Sequence, residues 1–382
     1  MEARFTIDGS EALESRLSYT CQQVLSGVQN LVPRKELEAL VLGGGYGRGH
    51  GGVLKTESGD EPYNDMEFYV FIRGNALLSE HRYGTALREL GERLSPAAGL
   101  HVEFKVYSVD KLRRREISMF TYDLAAGHKT IFGDKRIFEG CEHHLKAERI
   151  PLHEATRLIF NRCSGLLLAK DILCNMTLTR EDVGFIERNL AKAQLALGDA
   201  VLAMLGRYHW DCRERHERLN QLAAIEAPTL LPELRRHHAC GVKFKLRPFR
   251  SDTSKAELER QLAELANLSA QLWLWMESRR LNRTFASVRD YALACLSKCP
   301  ESAAWRNCLL SLRTFGSGVL RSGRSWRYPR ERLFDALCLL LWDGDAVNDP
   351  ALRRRLRREL RAKSGDWPDL VLAYRRIWQN YG

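Results

Sequence analysis

Leu42-Gly43-Gly44-Gly45-Tyr46-Gly47-Arg48-Gly49-His50-Gly51-Gly52, followed by Asn64-Asp65-Met66-Glu67-Phe68-Tyr69-Val70-Phe71-Ile72, decides how this chain is read. Ala39 to Leu42 is apolar and β-compatible, so it reads as a strand feeding a glycine-rich turn. The second stretch reads as another strand, in which residues i and i+2 point to the same side. Asp65 and Glu67 therefore share one face, and Met66, Phe68 and Val70 fill the other. A third acid, Glu103, lies in the strand-like run His101-Val102-Glu103-Phe104-Lys105-Val106-Tyr107.

Carboxylates set in so apolar a run need a compensating cation or a proton. Asp65, Glu67 and Glu103 converging on one point would make an oxygen-rich site for Mg²⁺, completed by water and substrate phosphates. The glycines ahead of them let backbone N–H groups approach a phosphate closely. An anion cradle beside a hard-metal site spells phosphoryl or nucleotidyl transfer with two Mg²⁺ ions. Gly44, Gly45, Tyr46, Gly47 and Arg48 are the candidate phosphate contacts, Arg48 because its fork matches phosphate oxygens. A Rossmann reading fails because no helix of usual length separates the glycines from the next strand, and a P-loop reading fails because no Gly-Lys-Ser/Thr follows.

The run Gly44-Gly45-Tyr46-Gly47-Arg48-Gly49, then Asn64-Asp65-Met66-Glu67, then Glu103, resembles the signature of the polymerase-beta-type nucleotidyltransferase superfamily, and within it the small-molecule branch that includes the aminoglycoside nucleotidyltransferases. Gly45 stands where that signature commonly has Ser, and the stretch from Gly45 to Asp65 is longer than usual. The resemblance spans roughly residues 38–135. It implies a nucleotidyltransferase-fold mixed sheet with helices, an NTP co-substrate, and Asp65, Glu67 and Glu103 as catalytic metal ligands.

The rest of the chain bounds this reading. A length of 382 residues allows two or three domains. We expect an α+β catalytic domain over 1–150 and an all-α helical bundle over 151–382, divisible near 228–250. Residues 1–150 hold 20 Lys+Arg against 22 Asp+Glu, net −2. The remaining 39 against 26 give net +13, so the chain's +11 comes entirely from its helical part. No apolar run approaches the about 20 residues needed to span a bilayer. Met1-Glu2-Ala3-Arg4-Phe5 lacks a basic stretch followed by an apolar core, which suits a cytoplasmic protein. Ten cysteines without a Cys-x-x-Cys pair argue against a zinc ribbon and for reduced, buried thiols.

In chain order, helical periodicity predicts helices over 8–31, 76–94 and 109–125, a flexible loop over 50–64, and a short strand near Gly127–Asp134. Beyond 151 helix follows helix, with a break at Pro228 and Pro232 and a basic, glycine-spaced loop from Gly316 through Gly318, Gly323, Arg324 and Ser325 to Trp326. Lys192 and Asp199 lie seven apart in one of these helices and are candidates for the nucleotide cleft, Lys192 as a phosphate ligand; His128 and Lys129 are weaker candidates. His237-His238 is not read as a metal pair, because adjacent helical residues do not face each other. Arg353-Arg354-Arg355-Leu356-Arg357-Arg358 fits nucleic acid, but Leu352, Leu356 and Leu360 make an ordinary helix with one buried stripe equally well.

The expected activity is thus Mg-dependent transfer of a nucleoside monophosphate from an NTP to the hydroxyl of a small molecule. Two alternatives use the same sequence: a template-independent RNA nucleotidyltransferase, drawing on the basic helices, and a silent member of the fold acting through protein contacts.

Overall fold

The computed structural model describes residues 4–226, 229–317 and 326–381. Pro228, and Gly318 to Ser325 of the glycine-spaced loop, lie outside the described residues. The chain divides into two compact units. The first takes the chain up to Pro151 together with Leu205–Arg218 and Val242–Arg250; the second takes Leu152–Met204, Leu219–Gly241 and the chain from Ser251 on. A single cut near 150 does not describe this arrangement, because two segments from the later half build part of the first unit.

The first unit is a mixed four-stranded sheet with helices. Its strands are β1 (Leu37–Leu42), β4 (Met66–Ile72), β5 (Val102–Tyr107) and β6 (Lys129–Gly133), in the order β5-β4-β1-β6. β4 and β5 run parallel, while β1 is antiparallel to both β4 and β6. The parallel pair requires a crossover, and α3 (Ala76–Ala98) supplies it.

Alternation along β4 sorts its side chains onto two cores. Met66, Phe68, Val70 and Ile72 join Leu13, Leu17, Val24 and Val28 of α1 (Glu11–Leu31) and Leu87 and Leu90 of α3. Tyr69 and Phe71 face the other way, with Val41, Leu124 and the short helix α4 (Val109–Arg113) through Val109 and Leu112. Glu67 belongs to this second face, at the end where β1 runs into the glycine turn α2 (Gly44–Gly47), and Asp65 lies one residue before the strand.

Three local expectations change. The loop over 50–64 contains a hairpin of β2 (Val53–Thr56) and β3 (Gly59–Pro62), turned at Glu57-Ser58 and entering β3 at Gly59 with φ +122°, a conformation natural to glycine. The 109–125 helix is two, because Ser118 opens α5 (Met119–Ala126) with a capping box to Thr121. α3 runs past Pro96 and stops at Gly99, whose left-handed backbone lets its N–H reach the carbonyls of Ser95 and Pro96.

The second unit is helical throughout. Its centre is α6 (Leu152–Leu173), α7 (Arg180–Met204) and α10 (Lys255–Leu281). Ile159, Phe160, Cys163, Leu166 and Leu167 of α6, Leu197 and Val201 of α7, and Leu258, Leu265, Leu272 and Trp273 of α10 are buried. Between α7 and α10 in sequence come α8 (Cys212–Gln221), most of which belongs to the first unit, and α9 (Leu231–Leu246), whose last turn does. After α10 come α11 (Val288–Leu293), α12 (Ala304–Phe315), α13 (Arg330–Leu337), α14 (Pro350–Leu360) and α15 (Trp367–Tyr381). No helix among the described residues is long and apolar enough to cross a membrane. Every described cysteine is free; Cys21, Cys141, Cys163, Cys212, Cys299 and Cys338 are buried, while Cys174, Cys240 and Cys295 are exposed.

Candidate active site

The parallel register of β4 and β5 sets Glu67 directly beside Glu103, and Tyr69 beside Lys105. Glu67 and Glu103 are about a third and two-fifths exposed, so each carboxylate reaches solvent. Asp65 precedes β4 by one residue; it is exposed, and its carboxylate makes no hydrogen bond or ion pair among the described residues. Glu67 and Glu103 thus emerge side by side on one sheet face, from two neighbouring strands, while Asp65 lies just before the start of β4. Their oxygens are not drawn together within 4.8 Å as a closed ligand set.

Between Glu67 and Glu103 stands Lys105. Its Nζ lies 3.5 Å from Glu67 Oε2 and 3.4 Å from Glu103 Oε2. Partial burial lowers the pKa of this ammonium, but the two carboxylates more than offset that and hold it above its ordinary value. Tyr69 donates a 2.6 Å hydrogen bond to Glu67 Oε2, and burial, then the Glu67 charge, push its phenol well above the usual range. Lys105 and Tyr69 belong to no motif. Their one sequence signal is spacing, each two residues beyond an acid on the same strand face.

The glycine turn abuts this row. Gly43 N–H donates to the Glu67 carbonyl at 2.9 Å, joining turn to strand. Gly44 sits at φ +60°, and a Cβ there would meet Glu67 Oε1 at 3.0 Å, so both backbone and space favour glycine. Gly47 is packed tightly, since a Cβ would lie 2.2 Å from the Leu42 carbonyl oxygen. The N–H groups of Gly44, Gly45 and Tyr46 open a single helical turn and have no partner four residues back within it.

The other residues expected to touch phosphate have different surroundings. Tyr46 is fully buried; its hydroxyl donates to the Gly52 carbonyl at 3.1 Å and accepts from Tyr63 N–H at 3.0 Å. Burial pushes that phenol up to about 12, so Tyr46 is a strut inside the turn and its side chain is spent on the protein. The Arg48 guanidinium is 11% exposed and pairs with Asp123 at 3.3 Å. Asp123 also accepts from Tyr208 of the 205–218 segment. Arg48 therefore braces the turn with its charge already matched.

Lys192 lines a cleft of about 950 Å³ in the helical unit, together with Arg162, Arg188 and Arg375. Asp199 is buried in that unit and meets His238 Nε2 at 3.0 Å. His237 faces Glu264 at 3.3 Å, so the adjacent histidines turn to different partners. His128 packs at a tilt against Phe138, and its Nδ1 lies 3.0 Å from the Leu124 carbonyl. The Lys129 ammonium rests over the Phe5 ring. On α14, Leu352, Leu356 and Leu360 are buried while Arg353, Arg354, Arg357 and Arg358 are exposed.

No protein-family model, no curated protein and no solved structure matches this chain.

Proposed function

We propose that the chain is a Mg-dependent nucleotidyltransferase of the polymerase-beta type, moving a nucleoside monophosphate from an NTP to the hydroxyl of a small molecule and releasing pyrophosphate. The observation that carries this reading is the side-by-side placement of Glu67 and Glu103, with Gly44 pressed against Glu67 Oε1. Anion-binding backbone and paired carboxylates are thereby adjacent.

The donor set fits magnesium. All the donors are hard carboxylate oxygens, and Asp65 is unengaged. The ammonium of Lys105 also marks a place where positive charge is favoured. Asp65, Glu67 and Glu103 would hold the two ions. Bound Mg²⁺ would supply neutralisation of the triphosphate and an acceptor hydroxyl of lowered pKa.

The chain's own groups do the rest. The N–H groups at the start of α2 would receive phosphate oxygens and orient the triphosphate for in-line attack. Glu103 would take the acceptor proton as its oxygen bonds to the α-phosphorus and the bond to pyrophosphate breaks. Tyr69 holds the Glu67 carboxylate in place through its hydrogen bond. Arg48, matched by Asp123, keeps the turn rigid.

The experiment is a thermal-shift panel of the four NTPs with and without Mg²⁺, followed by pyrophosphate release with candidate acceptors. Stabilisation by at least one NTP only when Mg²⁺ is present, lost in Asp65→Asn, is expected. Undiminished pyrophosphate release by Asp65→Asn would overturn the mechanism. The alternative with an RNA acceptor draws on the exposed arginines of α14 and predicts salt-sensitive RNA binding. A silent, interaction-only role predicts no NTP stabilisation at all.

A further inference from the structure

Behind the glycine turn a second set of ligating groups meets inside the first unit. One imidazole nitrogen of His50, one carboxylate oxygen of Asp211 and the Cys212 sulfur all lie within 4.8 Å of one another. They come from remote parts of the sequence. His50 closes the turn, its N–H donating to the Gly45 carbonyl at 2.8 Å, and Asp211 and Cys212 open α8. His50 is 6% exposed, Cys212 is fully buried, and Asp211 is 16% exposed.

We propose that these three side chains bind one zinc ion, which fastens the end of the glycine turn to the start of α8.

The ligand chemistry selects the ion. A nitrogen, an oxygen and a sulfur donor make a borderline-soft set that suits Zn²⁺ and is foreign to Mg²⁺ or Ca²⁺. Three protein ligands leave the fourth tetrahedral position to water. Binding exchanges one proton for the metal: the Cys212 S–H bond breaks, a sulfur–zinc bond forms and the proton leaves to solvent.

Two further observations point to a ligand. First, His50 Nε2 lies 3.5 Å from Asp211 Oδ2, and Nδ1, the ring's other nitrogen, is buried with no hydrogen-bond partner, an unmet polar atom of a kind that folded proteins rarely tolerate. Second, the groups are already oriented as ligands are. The His50 ring stacks on Trp210 at 5.7 Å between centroids and 22° between planes. Asp211 Oδ1 accepts from the Arg213 N–H at 2.8 Å, and Oδ2 lies 3.3 Å from the Arg213 guanidinium, the outer contacts that commonly steady a metal-bound carboxylate. Helix capping by Asp211 accounts for its bond to Arg213, but leaves the buried thiol beside it and the unpartnered His50 nitrogen unaccounted for.

The proposal does not depend on the nucleotidyltransferase reading, since its test reads metal content and absorption. The full chain, purified without chelator and dialysed against limiting zinc, should hold about one zinc per chain by elemental analysis. Cobalt replacement should show a thiolate-to-cobalt charge-transfer band. His50→Ala and Cys212→Ser should each lose the metal, while Cys240→Ser, at an exposed thiol, should keep it. Zinc below a tenth of an equivalent in the wild-type chain, about a tenth of the stoichiometry such a site requires, or a Cys212→Ser variant binding as well as wild type, would overturn it. Should the variants fail to fold, the wild-type chain decides: a cobalt spectrum without the thiolate band rejects the site, and one with it, together with a melting temperature lowered by chelator and restored by zinc, supports it.

Discussion

Two glutamates in this molecule meet water in opposite ways. Glu277 in α10 is fully buried and accepts from four donors: the Thr156 hydroxyl at 2.6 Å, Arg280 Nε at 2.8 Å and Nη2 at 2.6 Å, and the Tyr291 hydroxyl at 2.7 Å. Glu103 on β5 is two-fifths exposed and has one shared cation, Lys105, as its ion-pair partner among the described residues. The first is a charge whose every lone pair is committed to holding helices together. The second is a charge with coordination to spare. Full satisfaction marks a structural ion, and incomplete satisfaction beside a second carboxylate is what the proposed function requires of Glu103.

The sharpest way to break that contrast is to remove Glu277. Glu277→Ala takes from the Arg280 guanidinium, 6% exposed, its bidentate carboxylate, leaving it the Lys298 carbonyl and Glu301, and strands the buried Tyr291 hydroxyl. We expect a loss of about 3–5 kcal/mol in unfolding free energy by denaturant titration. A loss under about 1 kcal/mol, the range of exposed pairs, would show the network to be slack.

Glu103→Gln should do the reverse. Its unfolding free energy should move by less than about 1 kcal/mol, since the Lys105 pair is exposed and screened. Mg-dependent pyrophosphate release should fall about 100- to 10,000-fold if Glu103 is the proton acceptor. Equal damage to stability and turnover would dissolve the distinction between the two glutamates.

How far the sequence reveals this contrast depends on distance along the chain. A two-residue period is enough to separate Glu67 and Tyr69 from Phe68 and Val70, and the apolar alternation of β4 makes that face readable; Asp65, one residue before the strand, lies outside that period. The α+β order, with a sheet first and many helices after, follows from the same periodicities. Pairing across the sequence is not encoded locally. Nothing near Arg48 announces that Asp123 neutralises it, so a spare phosphate ligand and a braced turn look alike. Tyr46 looks like a ligand contact because it stands among glycines, yet those glycines are what allow its ring to sink: a Cβ at Gly51 would lie 2.1 Å from it. The hairpin over 53–62 hides because its strands are four residues each and only Val53 and Leu54 of β2 give an apolar signal. The recruitment of 205–218 and 242–250 into the first unit hides because no composition shift marks either segment.

Glycine offers a finer test. Gly44 (φ +60°) and Gly74 (φ +94°) both hold left-handed backbone, but only Gly44 has a neighbour in the way. Gly44→Ala and Gly74→Ala should each cost about 1–2 kcal/mol of stability from backbone strain. Only Gly44→Ala should also lower turnover, because its methyl would press on Glu67 Oε1, whereas a Cβ at Gly74 meets nothing within 4 Å. Loss of turnover in both would mean that strain alone, and no contact with Glu67, explains the effect.

The smallest effect tests the cation between the acids. Lys105→Met keeps the apolar stem and removes the charge 3.5 Å from Glu67 and 3.4 Å from Glu103. Because Lys105 is more than a third exposed, stability should change by less than about 1 kcal/mol. The two carboxylates then repel each other with nothing between them, and an added divalent cation relieves that repulsion without displacing an ammonium. Half-maximal NTP stabilisation should therefore come at a lower Mg²⁺ concentration in Lys105→Met than in wild type. A higher requirement would place Lys105 among the groups that receive the triphosphate, making its present seat between Glu67 and Glu103 a resting position.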